Sequence, residues 1–309
     1  MGCYRPTAVT RLTTRDQAPL AAAATDAVDG QSHYNPGRVT VIRPSRGWPT
    51  LGLRDLWDYR ELAFLLAWRD VKIKYKQTAV GVIWGVLQPL LTVLIFSVVF
   101  GHFAKLPTNG VPYPIMTFAA LLPWQMFTTS MTAATSSVVN NSALVTKVYF
   151  PRLMIPIGPT LAALVDFAIG MGILVALMFY YHVPLGWHVV TLPFFTLFAM
   201  LTALAMGIWF SALNVRYRDV QYVMPFIIQI WMYATPVAYS ALLFPLWLRP
   251  WLGVNPMAGV VQGFRWALLG HNAGQVGHLM LFSFGMVILL LIGGIVFFRR
   301  VERSFADVI

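Results

Sequence analysis

Residues 153–181 read LMIPIGPTLAALVDFAIGMGILVALMFYY. One acid, Asp166, interrupts a run otherwise free of charge. The run exceeds the ~20 apolar residues that a helix needs to cross a hydrocarbon core of about 30 Å. Working outward, five more stretches have this character, near Thr78–Phe103, Tyr113–Val139, Val189–Leu213, Val220–Ser240 and Gly277–Phe298. The whole chain agrees: of 309 residues 58% are hydrophobic and 11% charged, against about 45–50% and about 25% in soluble domains. The expected fold is therefore an all-α integral membrane protein with six transmembrane helices. Cys3 is the single cysteine, which leaves no intramolecular disulfide and no cysteine-based zinc site.

Charge patterning sets the orientation. The formal net charge of +11 in a soluble protein would suggest nucleic acid, but here the basic residues follow loop parity rather than one folded face. From residue 54 onward, 13 Lys and Arg fall ahead of the first run and in alternate loops, against Lys105, Arg249 and Arg265 in the others. The positive-inside rule then puts both termini in the cytoplasm, and nucleic acid is not an expected partner.

Residues 1–50 are rich in Thr, Ala, Pro and Arg without a signal-like apolar run, and read as a mobile cytoplasmic tail. Over residues 51–77 the pattern changes. Leu53, Trp57, Phe64, Trp68, Val71 and Tyr75 recur at helical spacing, with Arg54, Asp58, Glu61, Arg69, Lys72 and Lys76 opposite. This is the pattern of an amphipathic interfacial helix lying in the headgroup plane, with Arg60 and Lys74 snorkelling from near the apolar stripe. Residues 78–309 form the six-span domain with a short C-terminal tail. Between spans five and six, Ala241–Val276 is apolar yet broken by Pro245, Pro250, Gly253, Pro256, Gly259 and Gly263. Asn255 as N-cap, Pro256 at the first helical position and Gly270 past the end frame one short helix. The segment reads as a re-entrant helical pair, with Asn255, Pro256 and Arg265 in a candidate exit gate.

Catalytic signatures are missing. No lysine follows a glycine, so there is no Walker-type phosphate loop, and there is neither His-Glu-x-x-His nor Gly-x-Ser-x-Gly. No catalytic, cofactor-binding or metal-binding residues are expected. Asp166 is the only acid within a predicted span, reading either as a functional group or as a structural hydrogen-bonding one. Five histidines, His102, His182, His188, His271 and His278, read as interfacial. Trp84, Phe96, Phe100, Phe226, Trp231 and Tyr233 are candidates to line a conduit, since aromatic faces pack on flat apolar surfaces such as pyranose rings, although such residues also face lipid.

Several stretches, taken in order, carry a family resemblance. They are Arg69-Asp70-Val71-Lys72-Ile73-Lys74-Tyr75-Lys76-Gln77-Thr78, Gly81-Val82-Ile83-Trp84-Gly85-Val86-Leu87-Gln88-Pro89-Leu90, Lys147-Val148-Tyr149-Phe150-Pro151-Arg152, Asn214-Val215-Arg216-Tyr217-Arg218-Asp219 and Asn255-Pro256-Met257. Over about residues 53–303 the chain resembles the permease subunit of polysaccharide-exporting ABC transporters, which move O-antigen, capsule, teichoic acid or related lipid-linked glycans. The resemblance implies a homodimer in the bacterial inner (plasma) membrane, bound to two separate ATP-binding cassette subunits that hold ATP and Mg, with the chain itself holding no cofactor. It also implies an ATPase-coupling loop at Asn140–Arg152, including Asn140, Lys147, Tyr149, Phe150, Pro151 and Arg152, with Arg216 and Arg218 as secondary contacts. On this reading Arg69, Lys72, Lys74 and Lys76 attract the anionic lipid headgroup at the inner leaflet. The alternatives are a secondary carrier coupled through Asp166, a small-lipid or drug efflux permease, and a membrane-embedded lipid-modifying enzyme.

Overall fold

The computed structural model describes residues 53–76, 79–103, 110–239, 241, 244, 245, 247, 249–270, 277–302 and 305. The tail expected over residues 1–50 lies outside these, as do His271, Arg303 and the side chain of Trp84. Among the described residues every regular element is helical. In chain order they are α1 (Leu53–Asp58), α2 (Arg60–Lys76), α3 (Ala79–Phe96, continued as a π-helix over Ser97–Phe103), α4 (Tyr113–Asn140), α5 (Ser142–Lys147), α6 (Met154–Tyr180), α7 (Leu192–Arg216), α8 (Val220–Ala234), α9 (Pro256–Leu269) and α10 (Gly277–Val301). Short 3₁₀ turns at Trp187–Thr191 and Arg249–Val254 precede α7 and α9.

Among the described residues three stretches, Met154–Tyr180, Trp187–Arg216 and Gly277–Val301, are long and apolar enough to cross a membrane. Two of the other expected spans differ for identifiable reasons. Helix α4 has 28 residues but carries Thr117, Thr128, Thr129, Ser130, Thr132, Thr135, Ser136 and Ser137, which lower its apolarity. It can carry them because it is the central helix. Thr135 and Ser137 are buried and donate to the carbonyls of Met131 and Ala134, each at 2.7 Å. In the fifth expected span, Val220–Ser240, the helix is shorter than the expected range. It has 15 residues, about 22 Å at 1.5 Å per residue. It stops at Ala234 because Thr235, with ψ 134, adopts the extended backbone that a following proline, Pro236, imposes.

The core forms around α4, which α6 and α7 flank along much of its length. A Cβ at Gly207 of α7 would lie 2.7 Å from the Ala134 Cβ of α4, so the two helices meet through small residues. Phe118, Phe127, Phe167, Phe195, Phe198 and Phe264 fill the space beyond. Helix α9 begins and ends as the sequence indicates. The Asn255 side chain accepts from the Met257 amide at 3.1 Å, Pro256 follows, and Gly270 closes with φ 74. All of α9 except Trp266 and Leu269 is buried, packed on α4, α7 and α10.

The N-terminal segment departs from expectation in one way. The single helix expected from Leu53 to Lys76 breaks at Tyr59. Trp57, Phe64 and Trp68 of the aromatic stripe face away from the bundle. Ala63, Leu66 and Ala67 are buried, whereas Trp57, Phe64 and Trp68 are 69, 66 and 49% exposed. Small residues win the inner face because they let backbones approach: a Cβ at Gly158 of α6 would lie 3.0 Å from the Leu66 Cβ. A second contact joins Lys74 to Asp166. From 66 to 74 and from 158 to 166 both helices advance equally, so α2 accompanies α6 in the same sense for about 12 Å.

Candidate functional site

Beyond the Leu66–Gly158 contact α2 and α6 are joined through long side chains, and a cavity of about 560 Å³ lies between them and α4. Its polar lining comes from Arg69, Asp70, Lys74 and Tyr75 of α2, Thr129, Ser136, Ser137 and Asn140 of α4 with the adjoining Asn141, and Asp166 of α6. Asp166 is therefore not a lone acid. The Lys74 Nζ donates to its Oδ2 at 2.5 Å, and the Tyr75 hydroxyl donates to its Oδ1. Burial first, then the hydrogen bond and charge of Asp166, hold the Tyr75 hydroxyl well above the usual tyrosine range, so it remains a donor.

These contacts correct one expectation: Lys74 does not snorkel away from the bundle but turns into it. They also give Asp166 a cationic partner. Arg69 is also engaged. Its Nη2 bonds Asp70 at 2.9 Å and its Nη1 bonds the Asn141 side chain at 2.8 Å. Lys72 and Lys76 remain on the outer side of α2, in a groove of about 410 Å³ shared with Leu65, Trp68, Arg69 and Ile73. Lys72 lies over the Trp68 ring, 5.7 Å from its centroid.

The loop from Asn140 to Arg152 divides into an anchor and a display. Val145, Phe150 and Leu153 are buried in one cluster with Phe298 and Phe305. Lys147 is exposed, and Val148 and Tyr149 are 54 and 73% exposed. Asn140 is exposed and lines the cavity, and Pro151 is half-buried. Arg152, expected on the display side, instead donates to the Glu302 carbonyl at 2.5 Å and covers the Phe305 ring. It ties the loop to the C-terminal tail. Burial pushes the Glu302 carboxyl up, opposed by Arg152 and Arg299.

The second expected contact, Asn214–Asp219, is brought to the same end of the bundle. Asn214 is fully buried. Its Nδ2 donates to the Thr135 carbonyl at 3.1 Å and its Oδ1 accepts from the Gln221 amide at 3.3 Å. Arg216 and Arg218 stay exposed beside it.

Asn255 and Arg265 are committed to architecture. Asn255 accepts from Trp231 Nε1 at 2.9 Å and donates to Thr235 Oγ1 at 2.8 Å. The fully buried Arg265 donates to the carbonyls of Met116, Pro236, Val237 and Tyr239 at 2.6–3.3 Å. Trp231 is thus turned inward against Phe127. On the opposite face of α8, Tyr222, Phe226, Ile230 and Tyr233 are 70, 67, 71 and 63% exposed. Phe96 and Phe100 are half-buried and pack edge to face. Among the described residues no group of three or more His, Cys, Asp or Glu converges as a metal site, and His188 packs on the rings of Trp187 and Trp266.

The sequence model of the ABC-2 type transporter family matches residues 61–269, from the first turn of α2 to the end of α9. The chain belongs to this family. As an ABC-2 type transporter it is a multi-pass membrane subunit rather than an enzyme, and it works with a partner ATPase. Its relatives include an O-antigen export system permease protein, RfbA, of Myxococcus xanthus, 29% identical over 254 residues that cover 81% of this chain and 96% of the relative. A Klebsiella pneumoniae RfbA is 25% identical over 81% of this chain and 95% of its own length. The polysialic acid transport protein KpsM of Escherichia coli is 23% identical, covering 76% and 92%.

For this ABC-2 subunit, sequence reading missed Asp70, Tyr75, Thr129, Ser136 and Asn141 as cavity residues and Asn214 as the pin of the second loop. One signal was present. Asp70 and Lys74 lie one turn apart on the same face as Ala63, Leu66 and Ala67, so charges shared the small-residue face that packs inward.

Proposed function

We propose that this chain is the permease of an ATP-driven exporter of lipid-linked polysaccharide. It works in the bacterial inner membrane as a homodimer with two ATP-binding cassette subunits, crossing six times with both termini in the cytoplasm. ATP and Mg belong to the cassette subunits. The observation that carries the reading is the exposed display of Lys147, Val148 and Tyr149, with the exposed Arg216 and Arg218 at the same end of the bundle, in a chain that aligns over 81% of its length with a named O-antigen export permease. A short, basic and aromatic surface braced from beneath suits docking of a partner. Dimer formation is supported by the exposed leucines of α3, Leu87, Leu91 and Leu94, and by the open space where a Cβ at Gly85 would lie. The aromatic face of α8, with Phe226 and Tyr233, suits a conduit wall. Lys72 and Lys76, on the groove with Trp68, suit an anionic lipid headgroup at the membrane surface.

Binding of ATP by the cassettes would push on α5 and the display residues. Phe150 and Arg152 would pass that push to α10 and its tail, against which they pack. The test is replacement of Lys147, Val148 and Tyr149 together by alanine. The expected result is a permease that inserts normally, loses co-purification with its ATPase and leaves cells without surface glycan. Intact ATP-driven export would overturn the assignment.

A further inference from the structure

The cavity between α2, α4 and α6 is charged yet neutral overall. Its lining holds Arg69 and Lys74 against Asp70 and Asp166, and each cation already contacts an acid, at 2.9 and 2.5 Å. An anion entering here would have to break an ion pair and leave a carboxylate facing it. The groove on the outer side of α2 has the opposite balance, with Arg69, Lys72 and Lys76 and no acid in its lining. Charge therefore sorts ligands across α2, sending an anionic group outward and an uncharged polar group inward.

The inner lining suits hydroxyl groups in particular. Each Asp166 oxygen accepts one hydrogen bond and retains further lone-pair capacity. Asn140 and Thr129, both exposed at the cavity, supply an amide and a hydroxyl. Ser136 turns its hydroxyl back to the carbonyls of Thr132 and Ala133 at 3.4 and 3.3 Å and can still accept. The Tyr75 ring adds an aromatic surface against which a pyranose can pack. A cavity of about 560 Å³ lies within the ~300–1,000 Å³ typical of small-molecule sites.

We propose that this cavity is a binding site for a neutral, hydroxyl-rich sugar unit, hydrogen-bonded by Asp166, Asn140 and Thr129. With the polysaccharide cargo proposed above as its premise, the site holds sugar next to the lipid anchor while the anchor's phosphate rests on the outer groove at Lys72 and Lys76. Lys74 and Tyr75 are positioning residues, since they orient the Asp166 carboxylate.

The test uses the full-length chain in lipid nanodiscs. Methyl glycosides of glucose, galactose, mannose and N-acetylglucosamine are titrated singly, ligand-observed NMR reads the bound fraction, and inorganic pyrophosphate serves as competitor. At least one glycoside is expected to bind saturably and to resist excess pyrophosphate. Ala162→Trp, which fills the cavity from α6, is expected to weaken it at least tenfold, and Asp166→Asn at least threefold. Thr129→Phe fills the same space from α4, should Ala162→Trp fail to insert. No saturable glycoside binding, undiminished binding in the filled variants, or displacement by pyrophosphate would each overturn the proposal. The export reading is scored separately in cells. Surface glycan that persists without this chain overturns that reading, whereas export lost with the chain but no glycoside binding overturns only the sugar site.

Discussion

Arg265 and Asp166 each place a charged side chain among the apolar helices, and the protein treats them in opposite ways. Arg265 is fully buried and spends its guanidinium on four backbone carbonyls, closing the end of α8 and the start of α4 around α9. Asp166 keeps 28% of its side chain exposed, shares its oxygens with Lys74 and Tyr75, and faces a cavity. A fully buried charge with four of its five N–H donors bonded to backbone carbonyls is part of the scaffold. One that is partnered and still open to a polar cavity can meet a ligand. Residue type does not distinguish the two cases; the completeness of their hydrogen bonding does.

The sharpest test of that contrast is Arg265→Leu, which strands the carbonyls of Met116, Pro236, Val237 and Tyr239. With each buried unpaired group costing about 1–3 kcal/mol, the loss should be at least ~3 kcal/mol, read as a collapse of the thermal midpoint in detergent. Arg265→Lys should recover little, because one ammonium cannot span what a planar fork does. A stable Arg265→Leu protein would remove the scaffold half of the comparison.

The same distinction divides the Asn140–Arg152 loop. Phe150→Ala should cost about 3 kcal/mol by emptying the cluster with Phe298 and Phe305. Tyr149→Ala should stay within about 0.5 kcal/mol yet abolish stimulation of the partner ATPase by the permease. Equal effects of both variants on the thermal midpoint would erase the division.

Asp166→Asn and Lys74→Ala should each change stability by about 1 kcal/mol or less, since the pair is half open to solvent. The double variant should fall short of the sum. A loss matching that of Arg265→Leu would turn Asp166 into scaffold.

The smallest effect concerns Glu302. Its folded-state carboxyl is raised by burial, so folding favours the protonated form. That stabilisation is complete below the ordinary carboxylate range and is lost as pH rises through the raised value. The wild-type thermal midpoint should therefore decline slightly between mildly acidic and neutral pH, and Glu302→Gln should flatten that decline.

Helix α9 shows what was legible in advance. Asn255, Pro256 and Gly270 are local signals, and a cap requires only its own turn. The aromatic stripe of Trp57, Phe64 and Trp68 was equally visible as a periodicity, but which face of the helix packs on the bundle was not. Hydrophobicity ranks faces by how much they avoid water, and lipid satisfies that as well as protein does. Packing instead chose the face of Ala63, Leu66 and Ala67, where small side chains allow contact with Gly158. Lys74 and Asp166 lie 92 positions apart, and no local pattern joins them.

The order and character of the apolar runs, their parity with the basic loops and the ends of α9 follow from the sequence alone, because they depend on how each segment meets water, lipid and its own backbone. Which Arg is scaffold, which Lys is paired, which loop residues are displayed and where a neutral polar cavity opens were decided only when α2 docked along α6 and α9 was enclosed by α4, α7 and α10. Those outcomes depend on contacts between segments far apart in the chain, where close packing and the need to satisfy buried polar groups act across helices rather than within them.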